Sequence, residues 1–92
     1  MNIQYNPNFR KNFGFIWDYI AKDSVNRANN FKSKLKLSIQ NLENFPYKYR
    51  QSNYYDDINI RDLIFKGYTV PYLINSNTNT IVILDIFKWS DR

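Results

Sequence analysis

Residues 8–46 read NFRKNFGFIWDYIAKDSVNRANNFKSKLKLSIQNLENFP, and the periodicity of this stretch decides the fold. Phe9, Phe13, Ile16 and Ile20 recur at i, i+4, i+7 and i+11, which puts them on one face of a helix from about Asn8 to Lys22. Asp23-Ser24 interrupts that stripe and supplies side-chain oxygens to cap a second helix. There Ala28, Phe31, Leu35, Ile39 (or Ser38) and Leu42 form the next apolar stripe. Phe45-Pro46 ends it, because the residue before a proline disfavours the α region. Two amphipathic helices joined by so short a connection predict an α-hairpin.

On either side of the hairpin the pattern is that of strands. Ile3 to Asn6 predicts a short N-terminal strand that joins the sheet. After Pro46 a polar, tyrosine-rich loop (Tyr47 to Asp57) leads into Ile58 to Phe65, with Lys66-Gly67 as a turn and Tyr68 to Ile74 as the next strand. Ser76 to Asn79 is a second turn, and Thr80 to Lys88, rich in Ile and Val, is the most β-prone run of the chain. Turns this short make the three strands antiparallel. The expected class is α+β: a helical hairpin packed on a small, mainly antiparallel sheet in the order β-α-α-β-β-β. Pro71 conflicts with a central strand, since proline removes a ladder donor; either that side of the strand is unpaired at Pro71 or a bulge lies there.

Ninety-two residues leave space for one compact domain, here residues 1–92, and 7 Phe, 8 Tyr and 2 Trp give it the bulk to fold. With no cysteine, disulfides, thiolate nucleophiles and Cys-containing zinc sites are excluded. With no histidine, Ser-His-Asp, Cys-His and His-metal arrangements go as well, so any catalysis must run on Lys, Arg, Asp, Glu or Tyr. Only Gly14 and Gly67 are glycines, too few for a phosphate-cradling loop, and no metal constellation is visible, so no cofactor is expected. No stretch approaches the ~20 apolar residues of a membrane span, and Met1 to Tyr5 has no signal-peptide character. The protein is therefore read as soluble and cytoplasmic. Fourteen asparagines stand against one glutamate, and no function is assigned to them.

The net charge of +5 is concentrated in residues 1–50, which hold nine basic side chains against three acids. Arg27, Lys32, Lys34 and Lys36 on the second helix would attract phosphates, although a solvated outer face is the favoured reading of helical lysines. A second group, Arg61, Lys66, Lys88 and Arg92 with Tyr54, Tyr55, Tyr68 and Trp89, interleaves cations and aromatics as surfaces that bind RNA or protein do. Sheet edges and core tyrosines are the plainer account of it. Alternation places Arg61 on the strand face opposite Ile60 and Asp62. Asp56-Asp57 reads as a turn initiator. Asp85, inside the last strand, needs a cation partner if buried, with Arg61 as one candidate.

The run Ile16-Trp17-Asp18-Tyr19-Ile20-Ala21-Lys22-Asp23, followed by Ala28, Phe31, Leu35, Ile39, Leu42 and Phe45-Pro46, resembles the helical hairpin of RelE/ParE-superfamily toxins. Arg61-x-Leu63, Gly67-Tyr68, Tyr72 and Ile83-Leu84-x-Ile86 resemble the strand pattern of the same superfamily. The resemblance covers nearly the whole chain. It implies a growth-inhibiting toxin of a type II toxin–antitoxin system, a kind also known for plasmid stabilisation. An acidic, partly disordered antitoxin would neutralise it in a hetero-oligomer, the toxin itself being a monomer or dimer.

Within that superfamily RelE-like members cleave mRNA on the ribosome and ParE-like members act on DNA gyrase. RelE-like ribonucleases carry an arginine after the Gly-Tyr pair, where this chain has Thr69. The histidine often found after the last strand in ParE-like sequences is Lys88 here. These departures weaken an endoribonuclease more than a binding protein, because RNA cleavage needs base, acid and phosphate stabilisers together. The favoured expectation is a ParE-like, non-enzymatic toxin with Arg61, Tyr68, Lys88, Trp89 and Arg92 as target contacts. The rival is a ribosome-dependent endoribonuclease with Arg61, Lys66 and Lys88 around the scissile phosphate. A third is a degenerate, non-toxic partner of the antitoxin.

Overall fold

The computed structural model describes residues 1–88. Helix α1 spans Pro7–Asp23 and α2 spans Val25–Gln40, continued by a single 3₁₀ turn at Asn41–Glu43. Asn6 caps α1, its Oδ1 accepting from the Asn8 N–H at 2.8 Å, and Pro7 sits in the first turn, where a missing N–H costs nothing. Ser24 is the whole connection between the helices. Its extended backbone donates to the Ile20 carbonyl at 3.1 Å, closing α1, while its hydroxyl accepts from the Arg27 N–H at 3.1 Å and opens α2.

Strands β1 (Asn2–Tyr5), β2 (Ile60–Phe65), β3 (Tyr68–Asn75), β4 (Thr80–Ile83) and β5 (Phe87–Lys88) form one mixed sheet. The order is β1-β4-β3-β2, with β5 also beside β3. β1 runs parallel to β4 and the other pairings are antiparallel. The β2–β3 hairpin closes through Lys66 (φ 48°) and Gly67 (φ 84°), the two positive-φ residues of a mirror-image type I turn, whose twist matches that of the flanking strands. β2 begins at Ile60 rather than Ile58, because Asp57 Oδ1 accepts from the Asn59 N–H at 2.8 Å and holds residues 57–59 in a turn. The Ser52 N–H bonds the Ile60 carbonyl at 2.7 Å and the Asp62 N–H bonds the Arg50 carbonyl at 3.3 Å, so the loop covers the first half of β2's outer edge.

The run from Thr80 to Lys88 is two strands, not the single one expected. Tyr72 pairs with Ile83 and Thr69 with Phe87, so Val70 and Pro71 face three residues, Leu84, Asp85 and Ile86. One extra residue on one strand is a β-bulge, and it falls where Pro71 cannot donate. The Pro71 carbonyl still accepts from the Leu84 N–H at 2.9 Å, and Asp62, its neighbour on the other side, directs its own N–H outward to Arg50. The proline thus sits centrally without an orphaned ladder partner, and the bulge alternative is the one realised.

Alternation sorts the strand residues onto two faces. Leu63, Val70, Tyr72, Ile74, Ile81 and Ile83 point towards the hairpin and are buried with Phe31, Leu35, Ile39 and Leu42. Helix α2 lays its whole stripe into this core, whereas in α1 only Phe9 is fully buried and Phe13, Ile16 and Ile20 pack on the core from the side. Rings link the layers: Phe31 meets Phe13 at 6.3 Å, Phe65 at 5.3 Å and Tyr68 at 5.5 Å between centroids.

Candidate target-binding groove

β5 exists as two residues, and its pairing with β3 brings Tyr68 directly opposite Lys88 on the helix-facing side of the sheet. Across from them α1 contributes Asn12, Phe15, Ile16 and Tyr19, and together with Ile86 and Phe87 these residues line a cleft of about 590 Å³. Phe15 and Tyr19, one helical turn apart and off the Phe9–Phe13–Ile16–Ile20 stripe, are 63% and 68% exposed. Among the described residues of this lining Lys88 is the single charged one, and it is itself exposed. An exposed aromatic pair, a tyrosine and one cation around an open cleft suit recognition of a protein surface.

Asp85 supports the cleft from below. Lying in the bulge rather than in a strand, it accepts from the Asn12 amide at 2.7 Å and from the Ile86 N–H at 2.8 Å, tying α1 to the segment that turns into β5. Its partner is therefore Asn12 and not Arg61, because the bulge turns Asp85 towards α1. Nothing in the sequence spacing linked positions 73 residues apart.

Arg61 lies elsewhere. It pairs with Tyr72 across the β2–β3 ladder, four residues and about 13 Å along β3 from Tyr68. Its guanidinium stacks over the Tyr47 ring at 5.0 Å, and Nη1 donates to the Tyr49 carbonyl at 2.9 Å. Beside it Tyr72 is fully buried and donates its hydroxyl to the Pro46 carbonyl at 2.7 Å. Burial pushes the Tyr72 phenol well above its ordinary range, with the Arg61 charge acting in the opposite sense. Arg61 so placed braces the turn that follows α2. Lys66 stands exposed at the tip of the β2–β3 turn, its ammonium over the Phe65 ring at 5.6 Å. Of the expected contacts, the structure gathers Tyr68 and Lys88 and separates them from Arg61; Trp89 and Arg92 lie outside the described residues.

The opposite sheet face carries Ile60, Asp62 and Ile64 from β2, Thr69, Pro71 and Leu73 from β3, Val82 from β4 and Phe87 from β5. Among the described strand residues no cation is on that face. Asp62 is fully buried there beneath the 50–57 loop, one carboxylate oxygen accepting from the Asn53 N–H at 3.2 Å. Its second oxygen and the Thr69 hydroxyl have no hydrogen-bond partner among the described residues.

A helical hairpin packed on a mixed sheet in the order β-α-α-β-β-β is the architecture expected from the resemblance to RelE/ParE-superfamily toxins. The chain belongs to the ParE toxin family: the family described as "ParE toxin of type II toxin-antitoxin system, parDE" matches residues 3–91. Its fold is similar to that of a chain in the chromosomal ParDE toxin–antitoxin system from P. aeruginosa, with a TM-score of 0.75 and 14% identity over 96% of this chain and 95% of that one. No curated protein sequence matches the chain. Among the described residues, no helix is long and apolar enough to cross a membrane.

Proposed function

We propose that this toxin arrests growth in the cytoplasm as one folded domain. It binds an essential protein, DNA gyrase, through the Tyr68–Lys88 cleft, and an acidic, partly disordered antitoxin neutralises it. The observation that carries this reading is the pairing of Tyr68 with Lys88 in a cleft rimmed by exposed Phe15 and Tyr19. A ribonuclease reading is disfavoured on geometry: Arg61 lies about 13 Å along the sheet from Tyr68 and Lys88 and is held by Tyr47 and Tyr49, so these cations do not converge on one phosphate.

The test is a gyrase supercoiling assay with purified protein. Inhibition that is lost in Lys88→Glu, at unchanged melting temperature, is the expected result. No inhibition at large toxin excess removes gyrase as the target. Discrete, codon-located breaks by primer extension on a translated message would instead establish the ribonuclease, and absence of any growth defect on expression would establish the degenerate toxin.

A further inference from the structure

β5 is two residues long, and among the described residues it pairs with Tyr68 and Thr69 alone. A ladder so short does not hold its own register, and a slip of one residue would turn Lys88 to the outer face and Phe87 into the cleft. We propose that Asp85 is the positioning residue of the cleft: one of its carboxylate oxygens fixes where β5 begins, so that Lys88 rather than Phe87 stands beside Tyr68. This role rests on the reading of the cleft as the target surface, and goes beyond it in naming what sets the cleft's cation in place.

Asp85 Oδ1 accepts from the Asn12 amide at 2.7 Å and from the Ile86 N–H at 2.8 Å. The first bond ties it to α1 and the second to the residue just before β5, and an ionised acceptor strengthens both. Ile86 is 1% exposed, so this residue has its side chain in the core and its N–H held by Asp85. A slip of the strand would have to break both bonds and lift Ile86 out of the core. The outer face of β5 is supported as well. The Phe87 ring meets the Tyr54 ring edge-on at 5.1 Å between centroids, and the Tyr54 N–H donates to Ser52 Oγ at 3.1 Å. Ser52 is buried and donates its own N–H to the Ile60 carbonyl at 2.7 Å, which anchors this support on β2. Tyr54 thus keeps Phe87 outside, while Asp85 sets the strand against α1, the far wall of the cleft. Asp85 itself does not line the cleft, so its positioning role can be read apart from direct contact with a target.

Two substitutions separate the acceptor from the charge. Asp85→Ala removes both bonds and leaves every lining residue of the cleft unchanged in identity, whereas Asp85→Asn keeps an oxygen that can accept both N–H groups and removes only the charge. With isotope-labelled full-length protein, amide hydrogen exchange at residues 86–88 should be about tenfold or more faster in Asp85→Ala, with exchange in β4 unchanged. The toxin concentration that half-inhibits gyrase supercoiling should rise about tenfold, since an unfixed Lys88 must be ordered on binding. Asp85→Asn should stay within about threefold of the unmodified chain in both measurements, its neutral oxygen being the weaker acceptor. A merely stabilising bond would not confine the faster exchange to β5, because lost global stability speeds exchange in β3 and β4 alike.

Equal exchange at residues 86–88 in Asp85→Ala and the unmodified chain overturns the proposal. So does an Asp85→Asn chain as impaired as Asp85→Ala, or full inhibition by a chain whose β5 exchanges freely. If Asp85→Ala unfolds, Asn12→Ala leaves the Ile86 bond in place and is read by exchange alone; faster exchange at residues 86–88 supports the role, and no increase removes it. An unmodified chain that does not inhibit supercoiling removes gyrase as the target, and growth arrest at graded inducer then reads the same variants. Where the unmodified chain causes neither effect, the target reading falls by itself, and the exchange ratio alone decides whether Asp85 sets β5.

Discussion

Arg61 lies on the helix-facing side of β2, where its guanidinium is held by the Tyr47 ring and the Tyr49 carbonyl. Arg61→Ala removes both contacts, and the expected cost is about 1–2 kcal/mol, or a melting temperature lower by roughly 4–15 °C for a domain of this size. Thermal unfolding followed by circular dichroism checks it; an unchanged melting point together with lost toxicity would move Arg61 from a bracing role to a target contact. Next to it, burial raises the folded-state pKa of Tyr72 above its ordinary value of 10.0. Above pH ~10 the unfolded chain loses a proton that the folded chain retains, so stability is fully present below pH 10 and falls as pH rises beyond it. Tyr5 and Tyr55 are shifted in the same direction, again chiefly by burial. Melting temperatures measured from pH 8 to 11 should therefore decline at the alkaline end, and Tyr72→Phe should make that decline shallower without abolishing it. At this scale some asparagines also acquire roles: Asn6 caps α1, Asn75 Oδ1 accepts from the Asn77 and Thr78 N–H groups, and Asn79 takes a positive φ of 54° that few side chains tolerate.

At the scale of elements, two helices meet in one residue. Ser24→Ala deletes the cap of α2 and should cost about 1 kcal/mol, visible as a shifted denaturant midpoint with an unchanged slope. Leu35→Ala cuts into the buried stripe that joins α2 to the sheet and should cost about 2–5 kcal/mol, enough to populate the unfolded chain. Both elements were legible because a helix writes its buried face into the sequence at a fixed period. Ala28, Phe31, Leu35, Ile39 and Leu42 are all buried, and Ser38, the alternative to Ile39, is only half-buried. The strand after the second turn was less legible. Thr80 to Lys88 has uninterrupted β propensity, and only the ladder to β3 reveals that Leu84 to Ile86 must bulge around Pro71. A proline signals that a donor is missing, but which strand absorbs the mismatch is a property of register.

At the scale of the whole molecule, the cleft is formed by residues from separate elements. Lys88→Glu should abolish growth arrest in an induction assay while leaving the melting temperature within about 2 °C, because an exposed lysine contributes little to folding. A large loss of stability would instead assign Lys88 to holding β5 in place.

The sequence by itself determined the helical hairpin, the antiparallel β2–β3–β4 meander and the α+β class, because these follow from local periodicity, caps and turn residues. Tertiary structure alone decided that β1 pairs in parallel with β4, that Asp85 answers to Asn12 rather than Arg61, and that Phe15 and Tyr19 stay exposed beside Tyr68 and Lys88. Each of these depends on contacts between distant parts of the chain. Such contacts leave no period in the sequence, since they arise only when packed layers set which faces meet.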